Sequence, residues 1–267
     1  MAIDPRDTAA GIGIRWRGDT IGTIRREDNL ALCTDAAMVL FYDIAGDTAD
    51  HDDWHSYEHL HERLSIPGFV RASRWVSRGE APRYMAIYEV TGIDVGTSPD
   101  YLARLNAPTP WTSAMMPRFR GMVRGFCSTV ASSGYGLGNA AVVLRFAPPE
   151  GGEARLTEGL AAALPGLTAR KGMAGAQVMR PAPPPPMTRE QAIRGADAPQ
   201  SWLLIATAYD RAALTAAMAA EFGGDAPPWQ GLAEPPVAAP YDLHYVASAE
   251  EVARSPAHPP IVDPAGR

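Results

Sequence analysis

Four of the six histidines in this 267-residue chain, His51, His55, His59 and His61, crowd one short stretch and alternate there with Asp52, Asp53, Glu58 and Glu62. An imidazole, with a reference pKa of about 6.5, is suited to moving a proton at neutral pH when a carboxylate stands beside it. That chemistry makes His59 the first candidate for a general acid or base. His55 or Glu58 would orient it or share its proton, and Arg63 would hold an anionic group such as a carboxylate or enolate.

The run His55-Ser56-Tyr57-Glu58-His59 also fits H-x-x-E-H, the inverted zinc-protease spacing. Two imidazoles one helical turn apart have Cβ atoms about 5 to 6 Å apart, close enough to share one ion. No third ligand is evident on a matching helix, so the primary reading has no metal and no cofactor. A metal held by His55 and His59, or a haem ligated from the same helix, is the alternative.

Aromatic and thioether side chains supply candidates for a substrate-binding wall: Trp54, Tyr57, His61, Trp75 and Trp111, with Tyr84, Tyr88, Met115 and Met116 as further lining. Ordinary core packing competes for each. Trp111 stands apart, because Pro108-Thr109-Pro110-Trp111 reads as a turn that projects a large ring from a scaffold.

These residues need elements to hold them. The histidine stretch reads as a helix over 51–64 that stops before Pro67-Gly68. At about 100° per residue, Trp54, Tyr57, Leu60 and Leu64 share the arc expected to face a sheet. His51, His55, Glu58 and Glu62 then fall on the opposite side, His59 and Arg63 lie beyond them, and His61 sits at the margin by Trp54. The plain reading of that far side is a solvated face with i,i+4 charge pairing. The functional reading requires a cover, and the long insertion 181–199 is placed to supply one. It opens as polyproline (PAPPPP), continues through Met187 to Ile193 as one helical turn, and is read as a lid or, equally, as a plain surface excursion.

Around the helix the chain repeats one order of elements. Ala37 to Ile44 is a strand, the helix follows, and Phe69 to Ser77 with Arg83 to Val90 makes a hairpin across Gly79-Glu80-Ala81-Pro82. A helix starts at Ser98-Pro99, and Met122 to Val130 closes the unit as a strand. After the glycine-rich joint at 133–138 the order recurs: strand at Ala140 to Phe146, helix at Glu153 to Leu164, strands at Ala174 to Arg180 and Trp202 to Tyr209, helix at Arg211 to Phe222, strand at Tyr241 to Ala247. The repeat is visible in element order rather than residue identity. It predicts an α+β protein of two tandem ferredoxin-like βαββαβ units over 37–132 and 138–248, with their sheets packed as one closed core. Residues 1–36 and 249–267, rich in Pro, Ala and charge, are expected to be tails.

Composition bounds the partners. Apolar residues make up 46% and charged residues 20%, an ordinary globular balance. The net charge of −6 comes without a cluster of Lys and Arg, which argues against nucleic acid. Cys33 and Cys127 lie in unrelated contexts and fit a reducing compartment, so the expected setting is the cytoplasm. Nothing approaches a membrane-spanning run. A monomer or homodimer acting on a small molecule is expected.

The segments WHSYEHLHERLSIPGFVRASRW (Trp54 to Trp75), PRYMAIYEV (Pro82 to Val90) and SPDYLARLNAPTPWT (Ser98 to Thr112) resemble a bacterial branch of the dimeric α/β barrel superfamily. That group includes EthD-like proteins, muconolactone isomerases and antibiotic-biosynthesis monooxygenases, and the likeness is strongest over residues 37–130. The resemblance implies a small hydrophobic or aromatic ligand held in a cleft between the helices and sheet of one unit. Several such proteins work without a cofactor, while others bind haem. His61 departs from the pattern, in which this position is more often proline.

Three readings follow. The first is a cofactor-independent enzyme that moves a proton on a small, aromatic-derived substrate of catabolism or secondary metabolism, as a lyase, isomerase or hydrolase. The second is a haem or metal enzyme on the same fold. The third, a non-catalytic ligand-binding or stress-response barrel, would be favoured by a histidine face open to water with no adjoining cavity.

Overall fold

The computed structural model describes residues 31–79, 82–223 and 227–254. The chain enters strand β1 (Ala36–Ile44), then a continuous helical stretch of α1 (Thr48–Trp54), a π-helical turn (His55–His59) and α2 (Leu60–Leu64). It continues through β2 (Phe69–Ser77), β3 (Tyr84–Val90), α3 (Pro99–Asn106), α4 (Pro110–Met115) and the long β4 (Phe119–Gly134). The second unit runs β5 (Ala140–Phe146), α5 (Glu153–Thr168), β6 (Met173–Pro181), α6 (Arg189–Arg194), the two-residue β7 (Ala198–Pro199), β8 (Trp202–Ala208), α7 (Arg211–Phe222) and β9 (Val237–Ser248). A last short helix, α8 (Ala249–Arg254), follows.

Each unit lays out its strands in the same order. The first reads β4-β1-β3-β2 and the second β9-β5-β8-β6, with antiparallel neighbours throughout. The free edges then meet: β2 pairs with β9 and β4 with β6, also antiparallel, so eight strands close into one barrel. Closure removes the exposed edges that either sheet alone would present. The tandem ferredoxin-like architecture expected from the element order is the one observed.

Strands covered on both faces must be apolar on both. In β1, Ala37, Val39 and Phe41 point into the barrel with Trp75, Met85, Ile87, Val143, Leu203 and Ile205. Met38 and Tyr42 point out into a layer shared with Trp54, Leu60, Leu64 and Tyr88 under the first unit's helices. A matching outer layer in the second unit holds Leu156, Leu160, Leu164, Trp202 and Leu204 under α5 and α7. Three packed layers therefore fix the sheet between two helical faces.

Both expected tails need correcting where they can be seen. Ala31 and Leu32 are buried, Leu32 within the barrel core, and backbone N–H groups of Ala31 and Cys33 donate to Ser132 and Glu89. At the other end, Ala249 and Val252 of α8 pack on the first unit's outer layer. Both stretches carry apolar residues that the barrel end and the first helix can bury. Residues 1–30 and 255–267 of those segments lie outside the described residues, as do Glu80 and Ala81 of the hairpin turn. Among the described residues no helix is long and apolar enough to cross a membrane, and both cysteines are free thiols.

Candidate functional site

The histidine helix is turned differently from its expected orientation. His51 is 0% exposed and His55 2%, and both face the sheet; Arg63 is buried too, while Glu62 accepts from Arg104 of α3 at 3.0 Å. The helix is covered on this side as well as on the side of Trp54, Leu60 and Leu64, and the π-helical turn His55–His59 keeps the later residues in line with the earlier ones. In an α-helix of 3.6 residues per turn, positions i and i+4 drift by about 40° around the axis. A wider turn with i→i+5 hydrogen bonds takes that drift back, so His51, His55, His59 and Arg63 stay in register along one inward stripe. Their rings form a column, with centroids 5.5 Å apart for His51 and His55 and 5.7 Å for His55 and His59. His59 also lies 4.4 Å from Trp54.

Burial holds these imidazoles neutral. It pushes His55 and His59 well below the usual histidine range, helped by Arg74 at His55 and Arg63 at His59. His51 is lowered too, although Asp52 offsets part of the effect. Burial raises the Tyr88 phenol well above its ordinary value, so it stays protonated. Its hydroxyl lies 3.0 Å from His55 Nε2, and with the phenol as donor the ring proton of a neutral His55 sits on Nδ1.

The column opens on a cavity of about 30 Å³, room for roughly one water. Its wall includes His55, His59 and Arg63 from the helix, Met38, Leu40 and Tyr42 from β1, and Tyr88 from β3. Phe119, Met122 and Arg124 of β4, Tyr101 and Leu105 of α3, and Met116 complete the sheet side. Gly121, at φ +58°, lets β4 carry an extra residue against β1, so Phe119 and Met122 both face inward. Glu190 and Arg194 of α6 form the roof.

The long insertion supplies that roof. α6 starts at a capping box in which Thr188 and Gln191 bond reciprocally, and β7 clips the insertion to β4. Arg63 Nη2 donates to Glu190, and both side chains are 3% exposed. Asp197 accepts from Arg194 at 2.7 and 2.9 Å and from Arg124 at 3.3 Å. Three guanidinium groups thus meet two carboxylates, leaving one positive charge uncompensated beside the cavity. Three buried polar atoms of lining residues have no hydrogen-bond partner: His55 Nδ1, His59 Nδ1 and Arg63 Nη1. Each costs about 1–3 kcal/mol unless something meets it.

The remaining candidates lie elsewhere. Glu58 turns away from the histidines and accepts from Thr109 Oγ1 at 2.5 Å and Thr112 Oγ1 at 3.1 Å, tying the helix to α4. The H-x-x-E-H spacing therefore does not converge, and among the described residues no group of three or more His, Cys, Asp or Glu gathers as metal ligands would. Trp54 is core and donates to Thr112 Oγ1 at 3.2 Å. Trp75 points into the barrel, on the opposite face of the sheet from the cavity, because strand alternation in β2 sends Ala72 and Val76 to the outer layer and Trp75 to the inner one. Tyr57 and Trp111 are half-buried and do not line the cavity, Trp111 packing on the outer layer. His61 faces a separate surface groove beside β9 and α8. Of the further lining candidates, Tyr88 and Met116 reach the cavity, whereas Tyr84 and Met115 stay in the core.

Sequence reasoning missed Tyr42, Arg124, Glu190 and Arg194. One signal was present. The first helix of the second unit buries Leu156, Leu160 and Leu164 at the same i,i+4 spacing as His51, His55 and His59. The corresponding helix of the second unit thus buries leucines where the first buries imidazoles. Larger hollows of 440 and 520 Å³ exist at the surface of the second unit, but none of their lining residues has an unsatisfied buried polar atom.

No protein-family profile and no curated protein matches this chain. Solved structures do. An anthrone oxidase-like protein superposes with a TM-score of 0.54 at 10% identity, over 84% of this chain and 94% of that one. A protein from Fusobacterium nucleatum subsp. nucleatum, named as a candidate monooxygenase, gives 0.54 at 6% identity, over 81% and 96%. One so named from Lactobacillus acidophilus gives 0.50 at 9%, over 80% and 96%. At these identities the likeness carries the fold.

Proposed function

We propose that the chain is a cofactor-independent enzyme that removes a proton from a small, aromatic, enolisable substrate enclosed between the histidine column, the sheet and the α6 lid. The observation that carries this reading is the set of unmet polar atoms, His55 Nδ1, His59 Nδ1 and Arg63 Nη1, on residues lining one closable cavity. Neutral His59 is the base. His55, fixed by Tyr88 with its proton on Nδ1, and Arg63 are donors for the oxygen on which negative charge collects. The surplus positive charge favours that anion, and Tyr88, Met116 and Phe119 supply an apolar bed for a ring.

The cavity as it stands is water-sized, so a substrate enters only when α6 lifts. Closure then excludes water and strengthens each of these interactions. The anion has two outcomes. It is reprotonated elsewhere, as in an isomerase or lyase, or it passes electrons to dioxygen, a CH₂ group becoming C=O with release of water. The second is the kind of chemistry named for the structural neighbours.

The test uses 2-tetralone, an aryl-fused ketone with acidic C–H bonds, in D₂O. Native protein is expected to accelerate incorporation of deuterium over buffer, and His59→Ala to abolish the acceleration. An oxygen electrode in the same assay separates the two outcomes. Exchange no faster than buffer, or equal exchange by His59→Ala, overturns the reading. The competing haem or metal reading predicts a visible band or stoichiometric metal in freshly purified protein.

A further inference from the structure

Tyr42 lines the cavity, and its hydroxyl lies 3.3 Å from His51 Nε2. His51 Nδ1 lies 3.0 Å from Asp52 Oδ1. His51 is wholly buried and Asp52 is 22% exposed, so these three residues span from the cavity wall to solvent. The directions of the bonds follow from the ionised end. Arg74 stands 3.8 Å from the Asp52 carboxylate and the His51 bond adds to it, keeping the acid ionised against its partial burial. A carboxylate only accepts, so His51 carries its proton on Nδ1, and Nε2 accepts from the Tyr42 hydroxyl.

Resting on the proton-abstraction reading above, we propose that Tyr42, His51 and Asp52 form a proton wire that exchanges the abstracted proton between the closed cavity and water. A proton reaching the Tyr42 oxygen displaces the hydroxyl proton onto His51 Nε2. The Nδ1 proton moves to Asp52, which releases it to solvent. One proton leaves, and no tyrosinate or imidazolium persists. Afterwards His51 holds its proton on Nε2 and the line points inward. The ring cannot readily rotate to reset, packed as it is 4.4 Å from Tyr84 and 5.5 Å from His55. The wire is restored by passing one proton back. It therefore fits a reaction that takes a proton from one substrate atom and returns one to another.

Two measurements on full-length protein with 2-tetralone separate this role from the base itself. Growth of the enolate absorption reports abstraction, and deuterium incorporation from D₂O reports communication with solvent. Asp52→Asn keeps an acceptor for His51 Nδ1–H but cannot take the proton, and Tyr42→Phe removes the inner link. Asp52→Asn is expected to form enolate as native does while incorporating deuterium at least tenfold more slowly, and Tyr42→Phe to incorporate deuterium at least tenfold more slowly relative to its own rate of enolate formation; His59→Ala should lose both signals. A native incorporation rate in Asp52→Asn, with abstraction intact, or an unchanged ratio of incorporation to enolate formation in Tyr42→Phe, overturns the wire and leaves the base assignment standing. Loss of both signals in the native protein overturns the base assignment, and the wire falls with it.

Discussion

Arg63 on the first helix and Glu190 on the lid helix, 127 residues apart in sequence, form an ion pair with both side chains almost wholly buried. The pair closes the cavity and withholds one face of Arg63 from any ligand. Under the proposed function, a substrate that brings its own anionic oxygen would replace Glu190 there, coupling binding to lid opening.

Removing one partner strands a buried charge, which costs about 3–5 kcal/mol. Glu190→Leu should therefore destabilise strongly and speed amide hydrogen exchange across 189–194. Arg63→Met combined with Glu190→Leu should recover most of the loss. A double-mutant cycle by chemical denaturation measures both, and additive effects would show the pair uncoupled.

His59→Leu copies the residue type that the second unit uses along the same stripe. It removes an unmet buried nitrogen, so the variant should gain about 1–3 kcal/mol of stability while losing proton abstraction. Thermal melts and the tetralone assay read the two effects. Loss of both stability and activity would mean that His59 serves the fold.

The histidine column also sets a pH dependence. The folded-state pKa values of His51, His55 and His59 lie below the unfolded value, so the contribution is complete above about pH 6.5. As pH falls below that, the unfolded chain binds protons the native state refuses, and stability drops by up to about 1.4 kcal/mol per pH unit per histidine. Denaturation at pH 7.5 and 5.5 should show the loss, and His59→Leu should flatten it. Asp52, whose pKa is depressed, adds a further loss only in the carboxylate range.

Gly121 has open space around its missing side chain but sits at φ +58°. Gly121→Ala should cost about 1 kcal/mol or more through backbone strain alone. Because the bulge aims Phe119 and Met122 into the cavity, tetralone binding should weaken as well, measurable by calorimetry.

The barrel was legible because strands such as Ala36–Ile44 and Trp202–Ala208 announce themselves by length, apolarity and flanking turns, and because element order repeats. The histidine face was not. A wheel drawn at a constant 100° puts His55 opposite Trp54, where the chain covers the helix on both sides, and nothing local in HSYEH announces that cover or the π turn that keeps His59 in line. Glu190, Arg194 and Arg124 reach the cavity from segments remote in sequence, so only closure of the barrel and folding of the insertion could place them. Glu58 shows the opposite error: its spacing beside two histidines suggested a partner, whereas Thr109 and Thr112 had already claimed it.

The account stands on neutral, enclosed imidazoles at His55 and His59, and a histidine ring titration by ¹⁵N-edited NMR measures that directly. Both rings are expected to keep the chemical shifts of neutral imidazole from pH 8 down to 5.5, with the proton of His55 on Nδ1. Midpoints near the free value of about 6.5 for these two rings would contradict it.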